Sequence, residues 1–548
     1  MNVHEEQSEK LSPFELSLFL EKKLQKERQH AGKWLNAGRG NPNWTAPTPR
    51  EAFFLLGQFA TQETLNSESK TTAGMVSPSK DRSERFSRFL DSLSGKGADF
   101  LKQVWTTENS YLGMPKEQWL DQILDYLIGD NYPDPVRCLK GCEEPIKAYL
   151  NQELFSGQEK AFDIFAVEGG TAGICYLFDT LMNNFLLQKG DRIALMLPTF
   201  APYLEIPELP QYSFEIVEVR AEQTLLEGKV TYQYPEQEID KLKDPSIKAV
   251  FVVNPSNPTA NALCGSTIKQ LKQVVQRKNP KLMILTDDVY GTFVSEFHSL
   301  FAELPFNTAC IYSYSKYFGA TGWRIGTIAV MKNNLFDKLI TELPQEKIAF
   351  LKERYGTLDG GSGELSFIDR LVADSRDVAL NHAAGLSSVQ QVMMALFSLY
   401  ALLEEGSVYK KEVMDICHTR ERLLFDILEI EEQLPALNTA YYCEINFKEW
   451  TEKRYGADFS NYLKKRWTIT KVLTALAEKE QLMLLKADAF GSDDWSVRIS
   501  LANLATNQYS EVGKRIIRLS ERLREEWIKN KNESGGENGR KKVNKSKI

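Results

Sequence analysis

The chain has 548 residues, more than one hydrophobic core organises, so two large domains or one domain with additions are expected. Its 42% hydrophobic and 26% charged residues are those of an ordinary globular protein, and a net charge of -7 gives no bulk pull toward nucleic acid or anionic lipid. No apolar run is long enough to span a bilayer, the polar start M-N-V-H-E-E-Q-S-E-K lacks a signal-peptide core, and the 7 cysteines and 5 histidines form no metal-type cluster.

In chain order, residues 12–30 predict a helix, with Ser12 as N-cap and Pro13 at its first position. A Gly/Asn/Pro-rich segment, L-N-A-G-R-G-N-P-N-W, follows from Leu35 to Trp44. Residues 62–85 are polar and read as a mobile loop, and 86–128 as two or three short helices. From Asp163 the pattern changes. Seven short apolar runs, D-I-F-A-V, R-I-A-L-M-L, F-E-I-V-E-V, K-A-V-F-V-V, L-M-I-L-T, A-C-I-Y-S and T-I-A-V-M, alternate with amphipathic stretches. Strands buried on both faces have this composition, and helices between them make β-α-β units. After Val330 the chain reads as helical to about residue 433. Then T-A-Y-Y-C-E-I-N-F and W-S-V-R-I-S-L-A-N alternate like strands around a helix at 467–480, which predicts a smaller α+β domain. A last helix ends near Asn530, and the tail, with almost nothing to bury, reads as disordered.

Four motifs stand at the ends of the apolar runs. The longest is S-Y-S-K-Y-F-G-A-T-G-W-R-I-G, from Ser313 to Gly326, with Arg324 eight residues after Lys316. A desolvated lysine, or one beside another cation, loses basicity and becomes a nucleophile, and an arginine fork suits a dianionic phosphate. V-N-P-S-N-P-T spans Val253 to Thr259; alone it is also a common turn. L-T-D-D-V-Y contains Asp287, which alone could be a strand-end cap, and Tyr290. V-E-G-G-T-A-G spans Val167 to Gly173, where a helix N-terminus could cradle phosphate.

Together these segments resemble the class I/II aminotransferase-like family of pyridoxal-phosphate enzymes, fold type I. The resemblance implies an α/β fold with a mainly parallel seven-stranded sheet sandwiched by helices, a smaller α+β domain and a helical insertion. It implies pyridoxal 5'-phosphate as cofactor, with Lys316 joined to it as a Schiff base. Ser313, Ser315, Arg324 and the backbone of Gly170, Thr171 and Ala172 would hold the phosphate. Asn257 and Tyr290 would bond the phenolic oxygen, and Asp287 the ring nitrogen. Phe200, in L-P-T-F-A-P-Y, either stacks on the ring or packs in the core. Tyr132, in D-N-Y-P-D-P, would reach the phosphate of a neighbouring subunit. Arg498 would grip the substrate α-carboxylate, which the Gly40 backbone also meets. Arg39 either guides the β-carboxylate or is a solvated loop arginine.

Within that family, residues 12–530 resemble the aspartate 4-decarboxylases, through A-G-R-G-N-P-N-W, N-Y-P-D-P-V-R, the insertion and N-H-A-A-G-L-S-S-V-Q-Q from Asn381. The implied reaction is β-decarboxylation of L-aspartate to L-alanine, with transamination to a 2-oxo acid as side activity; a plain aminotransferase is the alternative. A non-catalytic regulator would carry a basic helix-turn-helix, and none is visible in residues 1–130. The implied organisation is an N-terminal helix and substrate-side segment (1–44), an insertion (45–131), a cofactor domain (132–345), a helical connection with the small domain (346–530) and a disordered tail (531–548). Self-association as a dimer or larger, a reducing cytoplasm with free thiols, and no metal, membrane or nucleic-acid partner complete the expectation.

Overall fold

The computed structural model describes residues 15, 18–22, 34–65, 73–106, 110–131, 136–157, 161–295, 297–356, 365–376 and 385–543. Tyr132, the Ser12–Pro13 helix start and residues 381–384 lie outside them. Of the expected first helix, Leu18 to Lys22 is seen as helical.

All seven apolar runs form one sheet. Its strands are β1 (Phe162–Val167), β2 (Arg192–Leu197), β3 (Glu215–Arg220), β4 (Ile247–Val253), β5 (Met283–Asp287), β6 (Thr308–Ser313) and β7 (Gly326–Met331). Their spatial order is β1-β7-β6-β5-β4-β2-β3. Only β7 runs antiparallel to its neighbours, pairing Gly326 with Val167 on one side and with Ser313 on the other. The remaining pairs are parallel. Five of the seven residues of β4 are apolar β-branched or aromatic side chains, and both faces of the strand pack into core clusters. That is the arrangement a doubly covered sheet demands.

A three-stranded antiparallel sheet forms the small domain: β8 (Tyr442–Asn446), β9 (Leu485–Lys486) and β10 (Ser496–Ser500), with β10 in the middle. The strand Leu35–Asn36 pairs in parallel with Leu482–Met483, so the segment before Trp44 joins this domain. The insertion is helical, at Pro47–Leu65, Arg82–Asp91, Lys96–Thr106 and Lys116–Ile128. Its Leu56, Phe59, Phe86 and Trp119 share one continuous core with Met393 and Phe397 of the helix Ser388–Leu403.

Three details differ from expectation. The polar segment 62–85 is helical at both ends, up to Leu65 and again from Arg82, because Phe59 and Phe86 tie both ends to the same core. A hairpin, Glu222–Leu226 with Lys229–Gln233, was not anticipated; its turn residues Glu227 and Gly228 have φ of 54° and 75°, the left-handed pair of a two-residue hairpin turn. The final helix runs from Tyr509 to Val543, so residues 531–543 are helical rather than disordered. Extending a helix already anchored by packing needs no new nucleus, so the segment need bury nothing of its own. Among the described residues no single helix is long and apolar enough to cross a membrane.

Candidate active site

Parallel strands end on one edge of the sheet, and ligand clefts in such folds open there. Asp287 is the last residue of β5, Ser313 the last of β6 and Val253 the last of β4, while Gly169 and Gly170 follow β1. Between this edge and the small domain lies a cavity of about 320 Å³. Lys316, Asp287, Asn257, Tyr290, Phe200 and Arg498 all line it, as do Gly40, Gly170, Thr171, Ser313, Ser315 and Arg324.

One end is built for an anion. The helix Gly170–Asn183 starts after Gly169, which has φ of 89° and supplies no side-chain cap, so its first N–H groups face the cavity without one. A Cβ on Gly169 would strike the Arg324 guanidinium. Arg324 itself adopts a left-handed conformation, φ 52°, and its fork reaches the carbonyls of Thr321 (2.9 Å) and Glu168 (3.3 Å). Such backbone strain gathers at binding sites. The hydroxyls of Ser313 and Ser315 lie 2.9 Å apart beside it. Ala172 sits one position further into the helix and does not line the cavity.

At the floor, Asp287 accepts from the Val289 N–H (3.2 Å) and from the Tyr203 hydroxyl (3.4 Å). Burial, reinforced by the neighbouring Asp288 charge, pushes its carboxyl up to about 7. A cationic N–H placed against it would restore the carboxylate. Asp288 turns away from the cavity to Thr286, Ser299 and Cys310, and burial pushes its carboxyl up to about 6.

The reactive end carries two cations. Lys316 Nζ donates to the Gly40 carbonyl at 3.0 Å, an oxygen that also accepts from Tyr441 Oη at 2.9 Å. Gly40 thus presents its carbonyl to the lysine. Arg498, on β10, is buried; it donates to Gly38 O (2.9 Å) and Asn257 Oδ1 (3.3 Å), and its Nε has no partner. Among the described residues no carboxylate pairs with it. Its guanidinium is sandwiched between the rings of Tyr442 and Phe490, 4.5 and 4.4 Å from their centroids.

Arg39 is turned outward: its side chain is 62% exposed and paired with Glu21 at 3.0 Å, and it does not line the cavity. The half-buried Glu21 carboxylate, which also accepts from Asn36, draws the guanidinium away from the cavity. Five lining residues were not anticipated: Asn41, Val253, Val289, Thr321 and Tyr442. Four of them flank or lie inside the motifs. Tyr442 lies in T-A-Y-Y-C-E, where strand alternation was the only pattern read; two tyrosines at a strand start were its one visible signal.

The family model for aminotransferases of class I and II matches residues 143–516. A bifunctional aspartate aminotransferase and L-aspartate beta-decarboxylase from a Pseudomonas species is 42% identical over 522 residues, covering 94% of this chain and 97% of its own. An aspartate aminotransferase of Pinus pinaster is 25% identical over 57% of this chain and 54% of its own. In fold, a single mutant of Thermus thermophilus aspartate aminotransferase superposes with a TM-score of 0.57 at 14% identity, covering 93% of this chain and 97% of that one. An aromatic aminotransferase of Pyrococcus horikoshii does so at 0.55 and 17% identity, covering 93% and 100%.

Proposed function

The chain belongs to the aminotransferases of class I and II, and from that premise we propose that it converts L-aspartate to L-alanine and carbon dioxide, with transamination of L-aspartate as its second activity. The cofactor is pyridoxal 5'-phosphate. The residues fit it: a carboxyl that burial leaves wanting a cationic partner, Asp287, an anion cradle at Gly170, Ser313, Ser315 and Arg324, and a lysine between them. When bound, the group supplies an electron sink conjugated to the substrate Cα.

The observation that carries the amino-acid reading is Arg498. A buried guanidinium with no carboxylate beside it, in the same cavity as the Lys316 amine, is a seat for an α-carboxylate. Holding the substrate there presents its Cα proton to Lys316, the general base. Asn257 and Tyr290 would bond the cofactor's phenolic oxygen, and Phe200 would cover its ring.

The decarboxylation reading is supported by the length of the match to the bifunctional relative, which takes in the insertion. It is supported also by the cavity's arginines. Among the described residues these are Arg324 and Arg498 alone, so neither is left to clamp the β-carboxylate as an anion. A group held loosely leaves more readily as carbon dioxide. The seven free thiols support a reducing, cytoplasmic setting.

Product analysis tests the proposal. Purified holoenzyme with saturating L-aspartate should yield mainly alanine and carbon dioxide. Oxaloacetate as the dominant product, with alanine absent when a 2-oxo acid acceptor is supplied, would leave a plain aminotransferase.

A further inference from the structure

Six ionisable side chains line the cavity among the described residues: Asp287, Tyr290, Lys316, Arg324, Tyr442 and Arg498. The function proposed above uses five. Tyr442, the first residue of β8, is the sixth.

Its position is closely determined. The Arg498 guanidinium lies 4.5 Å over its ring. Its hydroxyl accepts a hydrogen bond from Tyr290 Oη at 3.1 Å and faces the Lys316 amine. Residue 40 is glycine at the point where a Cβ would collide with that hydroxyl. Burial alone would make the phenol a weaker acid. The charges of Lys316 and Arg498, with the hydrogen bond from Tyr290, outweigh burial and bring Tyr442 below the ordinary tyrosine value. Tyr290 is driven the other way by its own burial and by the Tyr442 charge, so Tyr442 is the phenol of the pair that gives up its proton first.

An α-amino acid carries carboxylate, nitrogen and Cβ on one carbon. With its carboxylate on Arg498 and its nitrogen where the Lys316 amine now lies, the substrate is fixed at the two groups that Tyr442 touches. The third substituent is then within reach of the phenol. The chemistry has a need there that Lys316, engaged at Cα, does not meet. Loss of carbon dioxide breaks the bond between Cβ and the carboxylate carbon and leaves its electron pair on the substrate side. Alanine forms only when Cβ gains a proton.

We propose that Tyr442 is the acid that protonates Cβ after carbon dioxide leaves. The phenol O–H bond breaks, the electron pair on the substrate closes the new Cβ–H bond, and the phenolate regains its proton from solvent. The net change is aspartate plus one proton to alanine plus carbon dioxide. This inference rests on the decarboxylation reading; transamination has no step at Cβ, and that difference makes the two separable.

Tyr442→Phe keeps the ring under Arg498 and deletes only the hydroxyl. In a single turnover at saturating aspartate, carbon dioxide release should stay within about threefold while the alanine that forms after it slows about 100-fold, the lower end of what loss of a general acid costs. Affinity for succinate, an unreactive dicarboxylate, read from the shift it causes in the holoenzyme's visible absorbance, should stay within about threefold, since the ring that packs on Arg498 is kept and the hydroxyl is not the group that holds the carboxylate. Alanine that still forms as fast as carbon dioxide is released overturns the proposal. So does a parallel fall of both products with succinate affinity lost, which would make Tyr442 a support for Arg498. Absence of alanine from the unsubstituted enzyme would instead strike the decarboxylation reading, and Tyr442's role with it.

Discussion

A guanidinium taken out of water costs several kcal/mol unless an anion joins it, and Arg498 has only neutral oxygens and two aromatic faces around it. Arg498→Ala should therefore weaken aspartate binding by about 2–5 kcal/mol, the range for truncating one side of a buried charge pair. Cofactor absorbance should persist; aspartate titration of that absorbance measures the loss, and unaltered affinity would remove Arg498 from the site. Asp287 carries a pH signature. In the folded apoenzyme it keeps its proton up to about 7, while its ordinary value is 3.8. Between those values the folded state binds more protons than the unfolded chain, so stability falls as pH rises through the window. Asp288, pushed up to about 6, adds to the same trend. Apoenzyme with Asp287→Asn should show a flatter decline in melting temperature from pH 5 to 8 than the unsubstituted apoenzyme. Parallel curves would mean that Asp287 ionises normally. Asp287 and Asp288 were legible because they stand at a strand end in a motif of chemically specific neighbours, and Arg498 because an arginine inside an apolar strand is costly unless it is paired. Tyr442 was not, because its role comes from contacts with residues 290, 316 and 498, far away in the chain.

The element that presents Lys316 is the loop between β6 and β7, and the insertion and the helix Val408–Leu428 hold it from behind. Arg50 donates to Gly319 O and Ala46 O, both at 2.8 Å, with its guanidinium over the Phe397 ring. Trp44 Nε1 and Tyr409 Oη both donate to Tyr317 O, at 3.1 and 2.8 Å. Gly319 has φ of 60° and packs so tightly on Trp44 that no side chain fits there. Arg50→Met would leave the Gly319 carbonyl without this donor. A loss of about 1–3 kcal/mol is expected, read as a lower melting temperature of the holoenzyme; an unshifted melt would show that the clamp contributes nothing. The same contrast explains what the sequence disclosed about elements. Six of the seven sheet strands announced themselves as short apolar runs because burial on both faces leaves little choice of side chain, while the edge strand β3, largely uncovered, showed itself by alternation. The Glu222–Gln233 hairpin is mostly exposed, so its strands carried polar residues and only the turn pair Glu227–Gly228 marked it.

The insertion shares one of the molecule's core clusters with the helix Ser388–Leu403 and the small domain rather than standing as an appended module. It also leaves apolar side chains in the open: Phe54 is 63% exposed and Leu65 69%. Isolated exposed leucines are ordinary, but an exposed Phe on a core-sharing helix beside the Phe53–Trp323 contact, one residue from Arg324, fits a subunit boundary. We propose that the active unit is at least a dimer. Sedimentation at assay concentration should show no monomer carrying full activity; a fully active monomer would contradict this.

One consequence follows from the antiparallel placement of β7 between β1 and β6. The stretch 314–325 is closed at both ends by adjacent, hydrogen-bonded strands, Ser313 opposite Gly326. Its lysine is thus a permanently local amine, tethered on a short leash. For well-oriented groups such tethering corresponds to effective concentrations of roughly 10⁵ M or more, beyond what any dissolved amine attains. A free amine competing with Lys316 for the same carbon would lose by numbers alone. A substrate would prevail by bringing a second point of attachment, the carboxylate proposed for Arg498. On the roles proposed for Lys316 and Arg498, the closed loop would act as a filter that turns back simple amines and admits amino acids.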